Sequence, residues 1–251
     1  MISIKSDKEI EIMKQGGAIL SKIAKGLSKQ IKIGVSTGEL NRAALALFSR
    51  YKAEPAFLNH QGFPAAICAS ANQVVVHGVP SPYQLKDGDV LSIDLGLKYE
   101  GFYLDMAFSK IVGDKKSARP AAERLVKTAR NSLDLAVKAV APGVTLGDIG
   151  FIVQSCVEKQ GFSVVRNLCG HGIGRELHED PQILNYGLPG EGEILREGMV
   201  ICLEPMITTG GWKLKKSSDG FGYETADGSI AAHFEQTIAV TKKGYLILTK
   251  L

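Results

Sequence analysis

Two sequence patterns occur twice in this chain, in the same order and at nearly the same separation. GVSTGEL, which starts at Gly34, returns as GVTLGDI from Gly143. LKDGDVLSID, which starts at Leu85, returns as LREGMVICLE from Leu195. Two matches at nearly one separation indicate a duplicated unit of about half the chain, rather than the short period of a solenoid. We therefore predict two halves with the same local structure.

The halves are expected over about residues 1–112 and 118–251, with the lysine-rich stretch 113–117 between them. In each half an amphipathic helix comes first, and a second helix begins at a capping box. The expected helix starts are marked by Ser6, Ser36, Pro120 and Thr145. Short strands are predicted over 63–69 and 73–76 in the first half, and over 162–168 in the second.

The stretch LSIDLGLKYEGFYLDMAF, residues 91–108, predicts a β-hairpin. With the turn at Tyr99-Glu100, one face is apolar throughout, and Asp94 lies directly opposite Asp105 on the other face. Side chains in that arrangement are about 5 Å apart, where like charges are destabilising. The two acids must then share a proton or a cation, unless one of them turns to solvent.

The repeat extends this argument to two further acids. It aligns Asp94 with Glu204, at the end of the apolar strand MVICL. A partner equivalent to Asp105 is expected on the next strand, residues 231–240, which carries Glu235. Two halves related by a pseudo-twofold axis would bring four carboxylates into one cleft, where they need a cationic partner.

One histidine completes a ligand set for metal ions. His171 is flanked by glycines in NLCGHGIGRELHEDP, and we expect these glycines to let the backbone approach a ligand closely. The predicted ligands are Asp94, Asp105, His171, Glu204 and Glu235. This oxygen-rich set without a thiolate suits Mn²⁺, Fe²⁺ or Co²⁺ and also admits Zn²⁺. Four carboxylates predict two divalent ions about 3.5 Å apart, an arrangement typical of metal-assisted hydrolysis.

The other histidines are less constrained by sequence. His77 ends a β-branched run where a strand meets a loop, which is consistent with a cleft residue or with a structural histidine. His178 has acidic neighbours and is consistent with a site residue or a solvated loop residue. His60 and His233 carry no independent signal.

Composition restricts the class and compartment of the protein. The chain has 251 residues, of which 45% are hydrophobic and 22% charged, as in ordinary globular proteins. A net charge of +4 is too small to indicate a nucleic-acid partner. The N-terminus is too charged for a signal peptide, and we predict no membrane span. The four cysteines contain no C-x-x-C pair, so a reducing, cytoplasmic setting is expected.

With these motifs in order, nearly the whole chain resembles the type I methionine aminopeptidases. The resemblance is carried by Asp94, Asp105, GHGIGRELHEDP, LREGMVICLEP and Glu235. It implies an α+β pita-bread fold, in which two pseudo-twofold-related helix-helix-sheet halves share a central curved antiparallel sheet. It also implies a single catalytic domain over 1–251, acting as a cytoplasmic monomer on nascent polypeptide N-termini, with ribosome contact left open and no nucleic-acid or membrane partner.

The resemblance implies a role for each site residue. Asp105 and Glu235 would bridge two metal ions, one also held by Asp94 and the other by His171 and Glu204. Glu204 would transfer protons, His178 would polarise the scissile carbonyl, and His77 would contact the leaving nitrogen. The initiator methionine would be removed when the next residue is small.

Several positions depart from the pattern of the family. The methionine pocket would be lined by Phe63 and Cys68 as usual, but His60 stands where a tyrosine is common, Leu177 where an aromatic is common and Phe221 where a tryptophan is common. In the metal shell, Gly96 and Met106 stand where hydroxyl residues are frequent. The ligands themselves are unchanged.

Three other functions are consistent with parts of the pattern. A proline-specific (Xaa-Pro) peptidase or a creatinase-like hydrolase would share this core but usually carries a further N-terminal domain. A non-catalytic pita-bread binding protein would typically lose metal ligands, which are all present here. An acid-dyad protease at Asp94 and Asp105 would leave His171 and Glu235 unused.

Overall fold

Capping residues set the helix starts in the computed structural model, which describes residues 2–113 and 120–251. The helices are α1 (Asp7–Ser28), α2 (Thr37–Arg50), α3 (Pro120–Ala139) and α4 (Leu146–Glu158). The predicted capping boxes form at α1, α2 and α4, where each N-cap hydroxyl accepts a hydrogen bond from a backbone N–H. Residues 114–117 of the predicted link lie outside the described residues.

The strands are short except for one hairpin. Their bounds are β1 (Glu54–Pro55), β2 (Cys68–Ala71), β3 (Val74–Val76), β4 (Val90–Tyr99), β5 (Phe102–Ile111), β6 (Ser163–Val164), β7 (Cys169–Gly172), β8 (Glu179–Leu184), β9 (Val200–Leu203), β10 (Met206–Thr208), β11 (Leu214–Lys216), β12 (Tyr223–Thr225), β13 (Ala231–His233), β14 (Glu235–Thr241) and β15 (Gly244–Ile247).

The main sheet joins the two halves at its centre. Its strand order is β1-β4-β5-β14-β9-β7-β8, and β2 pairs with β4 while β15 pairs with β14. The halves meet where β5 pairs antiparallel with β14, so that Glu235 lies opposite Ala107. Two smaller sheets, β13-β10-β6 and β11-β12-β3, lie beside the main sheet. This α+β arrangement around an antiparallel sheet is the predicted fold class.

The helices cover the sheet with their apolar faces. Met13, Leu20, Ile23 and Leu27 of α1 are fully buried, in a helix that packs against β4 and β5. Burying a side chain of this size contributes roughly 1.5–3 kcal/mol. Among the described helices, none is both long enough and apolar enough to cross a bilayer.

The hairpin register differs from the prediction by two residues. Asp94 pairs with Ala107 and Asp105 with Gly96, because the turn is at Glu100-Gly101. Both turn residues have positive φ, 48° and 80°, as a two-residue hairpin turn requires, and glycine adopts this conformation more readily than Tyr99 would. A shift of two keeps every side chain on its predicted face. The two aspartates are therefore diagonal neighbours rather than directly opposed.

Three predicted strands have different bounds. The segment 63–69 contributes only its end to β2, and 162–168 only its start to β6. The segment 231–240 divides at Phe234, because β13 pairs with β10 while β14 pairs with β9 and β5. This change of sheet places the residues before and after Phe234 in different surroundings.

Candidate metal centre and active-site cavity

Three of the predicted ligands meet where the two halves join. Asp94 lies in the middle of β4, Asp105 in β5 and Glu235 at the first position of β14. They are 8%, 3% and 3% exposed, and one carboxylate oxygen of each lies within 4.8 Å of the others. The diagonal arrangement of the aspartates on the hairpin therefore still brings their oxygens together.

The other two ligands come from the second half. His171 on β7 pairs with Cys202 on β9, and Glu204 follows β9 directly. The Nε2 atom of His171 lies 3.6 Å from Oε1 of Glu204 and 3.9 Å from Oε1 of Glu235. The Nδ1 atom is 2.9 Å from the carbonyl oxygen of Gly172. When Nδ1 donates to this carbonyl, the lone pair of Nε2 faces the carboxylates, as a metal ligand requires.

The clustered acids disfavour their own ionisation. Burial raises the pKa of Asp94 and Asp105 well above the ordinary range, and the charge of Asp94 raises that of Asp105 further. Burial and the charge of Glu235 raise the pKa of Glu204, while burial and Asp105 raise the pKa of Glu235. Burial lowers the pKa of His171 to about 4, so its ring is neutral at pH 7. Such a cluster needs cations or protons.

The polar atoms of the cluster fit divalent cations. Oδ1 of Asp94 and Oε1 of Glu235 are buried and have no hydrogen-bond partner among the described residues. Unsatisfied buried oxygens of this kind are costly unless a ligand binds them. The thiol of Cys202 lies within 4.8 Å of ligand atoms of His171 and Glu235. Burial and the neighbouring carboxyl groups raise the pKa of this thiol.

Two of the glycines beside His171 serve strand packing. A Cβ atom on Gly170 would collide with the carbonyl oxygen of Cys202, and one on Gly172 with that of Asp180. Gly170 and Gly172 let β9 and β8 approach the backbone of β7 closely. The expectation that the glycines beside His171 let the backbone approach a ligand stays a prediction.

All twelve predicted site residues line one cavity of about 300 Å³. The predicted metal ligands and the predicted substrate residues therefore share one lining. The twelve are His60, Phe63, Cys68, His77, Asp94, Asp105, His171, Leu177, His178, Glu204, Phe221 and Glu235.

His77 has an unusual backbone conformation at this cavity. It follows β3 with a φ of 56°, in the left-handed region that few non-glycine residues adopt. The next residue, Gly78, is held against β2, because its N–H donates to Oγ of Ser70 at 3.1 Å. A Cβ atom on Gly78 would lie 2.7 Å from the carbonyl oxygen of Ala69, so only glycine fits there. Burial, with the nearby His178 and Lys216, lowers the pKa of His77 to about 4. The structure thus holds a neutral imidazole at the cavity wall.

His178 is held by a loop that is tied to the N-terminus. Oε1 of the adjacent Glu179 accepts hydrogen bonds from the backbone N–H groups of Arg175 at 2.7 Å and Glu176 at 3.2 Å. Its Oε2 atom pairs with Nζ of Lys5 at 2.6 Å. The ring of His178 contacts that of His171 edge to face at 4.5 Å. Burial and the nearby His60 lower the pKa of His178.

The remaining wall of the cavity is apolar. Phe63 and Phe221 pack edge to face with 5.4 Å between ring centroids, and Leu177 is 2% exposed. The absence of a side chain at Gly96 has a local cause, because a Cβ atom there would lie 2.8 Å from Cε1 of Phe57. Phe57 lines the cavity itself, and its ring occupies the space that a side chain at position 96 would enter, where hydroxyl residues are frequent in the family.

Sequence reasoning missed several residues of the site. Phe57, Gln61, Leu168, Lys216 and Tyr223 also line the cavity. Nζ of Lys216 lies 4.0 Å from the ring centroid of Tyr223, since β11 and β12 pair beside β3. No periodic pattern marks these positions, which come from separate short elements. The buried His233, by contrast, stands two residues before Glu235 in an apolar strand pattern, and this spacing could have drawn attention to it.

A second cavity, of about 340 Å³, adjoins the first. Both cavities are lined by His77, His171, His178 and Glu204. The second continues past Cys169 and Gln182. These three histidines and Glu204 therefore lie where the two cavities meet.

Comparisons with known proteins agree with this geometry. The model of metallopeptidase family M24 matches residues 11–242. A methionine aminopeptidase of Mycoplasma capricolum is 44% identical over 250 residues, which cover 100% of this chain and 99% of that protein. Methionine aminopeptidase 1 of Bacillus subtilis is 40% identical over the full length of both chains.

Solved structures separate the two peptidase alternatives. The crystal structure of a methionine aminopeptidase from Thermotoga maritima superposes with a TM-score of 0.97 at 42% identity, covering 100% of both chains. A prolidase from Pyrococcus furiosus reaches 0.80 at 25% identity, and the match covers only 65% of that chain. The chain therefore belongs to metallopeptidase family M24 and, within it, to the methionine aminopeptidases.

Proposed function

We propose that this protein removes the initiator methionine from polypeptides whose second residue is small, using two divalent metal ions. The observation that carries the proposal is the meeting of the buried carboxyl groups of Asp94, Asp105 and Glu235 with Glu204 and the neutral His171 in the lining of a partly apolar cavity. Membership of family M24 supports a divalent metal cofactor. The number of ions and their identity among Co²⁺, Mn²⁺, Fe²⁺ and Zn²⁺ are part of the proposal.

Each ligand has a proposed place. Asp94, Asp105 and Glu235 would hold one ion, and Asp105 and Glu235 would hold the other together with His171 and Glu204. When bound, the ions supply Lewis-acid activation of water and of the scissile carbonyl. The unpartnered oxygens of Asp94 and Glu235 support this assignment, because a cation would satisfy them.

The side chains around the centre carry the proton transfers. Glu204 accepts a proton from the attacking water molecule while the oxygen of that water adds to the carbonyl carbon of methionine. The imidazole of His178 donates a hydrogen bond to the developing oxyanion. The bond between this carbon and the peptide nitrogen then breaks, and the nitrogen receives the proton from Glu204 while His77 contacts it. The products are free methionine and a polypeptide shortened by one residue.

The apolar wall is proposed to hold the methionine side chain. Phe63, Cys68, Leu177 and Phe221, with His60 at the edge, provide apolar and polarisable contacts for a thioether. The polypeptide then leaves through the adjoining cavity. Their lining of both spaces supports the proposed places of His77 and His178 beside the first peptide bond.

The setting of the activity is also part of the proposal. Residues 1–251 act as one catalytic domain and as a monomer in the cytoplasm, on nascent chains. The free state of Cys68, Cys156, Cys169 and Cys202 supports a reducing compartment. Contact with the ribosome stays a prediction.

Hydrolysis of Met-Ala-Ser tests the function directly. Metal-free protein should be inactive, Mn²⁺ or Co²⁺ should restore release of methionine, and an Ala-Pro peptide should be cleaved far more slowly. Faster cleavage of the Ala-Pro peptide would favour the proline-specific alternative. Glu204→Ala should lower kcat by orders of magnitude, and an unchanged kcat would remove Glu204 from the proton path.

A further inference from the structure

His233 is a buried histidine beside the candidate metal centre that none of the roles above uses. It is 1% exposed, and neither its Nδ1 nor its Nε2 atom has a hydrogen-bond partner among the residues that the structure describes. Buried polar side chains without a partner are rare, because each costs about 1–3 kcal/mol. The position of His233 therefore needs an explanation.

The backbone of His233 is fixed from two sides. Met206 on β10 pairs with it. Its N–H donates to Oγ of Ser109 at 2.8 Å, and that hydroxyl donates to the carbonyl oxygen of His233 at 2.9 Å. Oγ of Ser92 lies 2.7 Å from Oγ of Ser109, so both serines of the β4–β5 hairpin share this network. The hairpin that carries Asp94 and Asp105 thus also sets where the ring of His233 lies.

His171 and His233 face different carboxylate oxygens of Glu204 and Glu235. The Nε2 atom of His171 faces Oε1 of Glu204 and Oε1 of Glu235, at 3.6 and 3.9 Å. The Nε2 atom of His233 faces Oε2 of Glu204 and Oε2 of Glu235, at 3.6 and 4.0 Å. Each glutamate therefore has one oxygen toward the predicted ligand and the other toward His233.

The carboxylate of Glu204 lacks another restraint. Oδ1 of Asp105 accepts a hydrogen bond from the N–H of Met106 at 2.8 Å. Over residues 2–113 and 120–251, no comparable hydrogen bond holds the side chain of Glu204. Ligating carboxylates are usually oriented by hydrogen bonds from residues behind them. His233 is placed to supply one.

We propose that His233 is a positioning residue whose Nε2–H donates to Oε2 of Glu204 and so directs Oε1 toward the metal ion shared with His171. The contact needs to shorten by about 0.7 Å, from 3.6 Å to the usual hydrogen-bond length near 2.9 Å. The inference rests on the proposed metal-dependent function, because it concerns how one proposed ligand is oriented.

Two amide substitutions that differ by one methylene group test this role. His233→Gln places an N–H donor near the position of Nε2, whereas His233→Asn places it near Nδ1 and cannot reach Glu204. We expect His233→Asn to weaken Mn²⁺ binding to metal-free protein by 10–100-fold, as measured by isothermal titration calorimetry. His233→Gln should bind Mn²⁺ nearly as wild type does. On Met-Ala-Ser, His233→Asn should lower kcat with little change in KM.

Other variants separate this role from packing. His233→Leu removes the donor at similar volume and should behave as His233→Asn does. His60→Leu alters another histidine of the cavity and should leave Mn²⁺ affinity unchanged. Thermal unfolding of each metal-free variant shows whether it is folded. If His233→Leu does not fold, the test rests on comparing His233→Gln with His233→Asn.

Two results would overturn the inference. If His233→Gln loses as much affinity as His233→Asn, the imidazole is either a direct ligand or a packing element. If His233→Asn binds Mn²⁺ and turns over substrate as wild type does, the hydrogen bond has no function. Failure of the wild-type protein to bind Mn²⁺ or to cleave Met-Ala-Ser would instead refute the proposed function, so the two claims fail separately.

Discussion

The buried ion pair between Lys5 and Glu179 yields a prediction about stability. Its Nζ and Oε2 atoms are 2.6 Å apart, and the two side chains are only 3% and 13% exposed. Lys5→Met keeps the apolar stem but leaves the carboxylate of Glu179 without its counter-charge. Removing one partner of a buried pair typically costs 3–5 kcal/mol, because the remaining charge stays desolvated.

The surroundings of Glu179 favour the lower end of that range. Oε1 of Glu179 keeps the hydrogen bonds from the backbone N–H groups of Arg175 and Glu176. We therefore expect Lys5→Met to lower the free energy of unfolding by about 3 kcal/mol. For a protein near this size, 1 kcal/mol corresponds to about 2–4 °C, so the Tm should fall by about 6–12 °C.

The assay is urea and thermal unfolding of metal-free protein, which avoids stabilisation by bound ions. The matched control is Lys14→Met, because Lys14 pairs with Glu11 at 2.9 Å but the side chains are 50% and 56% exposed. That control should change stability by less than about 0.5 kcal/mol. In the double variant Lys5→Met/Glu179→Gln, most of the lost stability should return, since no buried charge remains. A loss below about 1 kcal/mol in Lys5→Met would refute the reasoning from burial.

The remaining predictions concern the site. His77→Ala should lower kcat on Met-Ala-Ser while Mn²⁺ binding is retained, and loss of Mn²⁺ binding would identify His77 as a ligand. Gly96→Ser should cost about 1–3 kcal/mol of unfolding free energy, because its Cβ atom would crowd Phe57 at 2.8 Å; wild-type stability would show that the ring moves freely. Because the pKa values of the four carboxyls are raised in the folded protein, metal-free protein binds more protons folded than unfolded, so its stability falls as pH rises above the ordinary carboxyl range. Metal ions need these groups ionised, so the difference in Tm between Mn²⁺-loaded and metal-free protein should widen from pH 5 to pH 8; a constant difference would contradict the assignment of the cluster.

Sequence patterns predict the site well where they depend on alternation along a strand. The parity of the β4–β5 hairpin fixes which face Asp94 and Asp105 share, and this survives a register error of two residues. The error itself was avoidable, because Gly101 is the better residue for the positive φ of the turn. The repeat then leads from Asp94 to Glu204 without any tertiary information.

Contacts between distant short elements could not be predicted in this way. Lys216 lines the cavity because its strand β11 joins β3 in one sheet through β12. The pairing of Lys5 with Glu179 joins residues 174 positions apart and has no local pattern. His233 is brought to the glutamates by a change of sheet at Phe234 that the apolar run does not reveal. Such features depend on tertiary packing, which overrides local periodicity.

The central claim is that acids from both halves of the chain hold a pair of divalent ions. Isothermal titration of metal-free protein with Mn²⁺, under anaerobic conditions, counts the ions at saturation. We expect two ions per chain for the wild type, and a loss of binding in Asp105→Asn, because this carboxylate is proposed to bridge the two sites. If the wild type binds no Mn²⁺, or if Asp105→Asn binds Mn²⁺ as the wild type does, the account is contradicted.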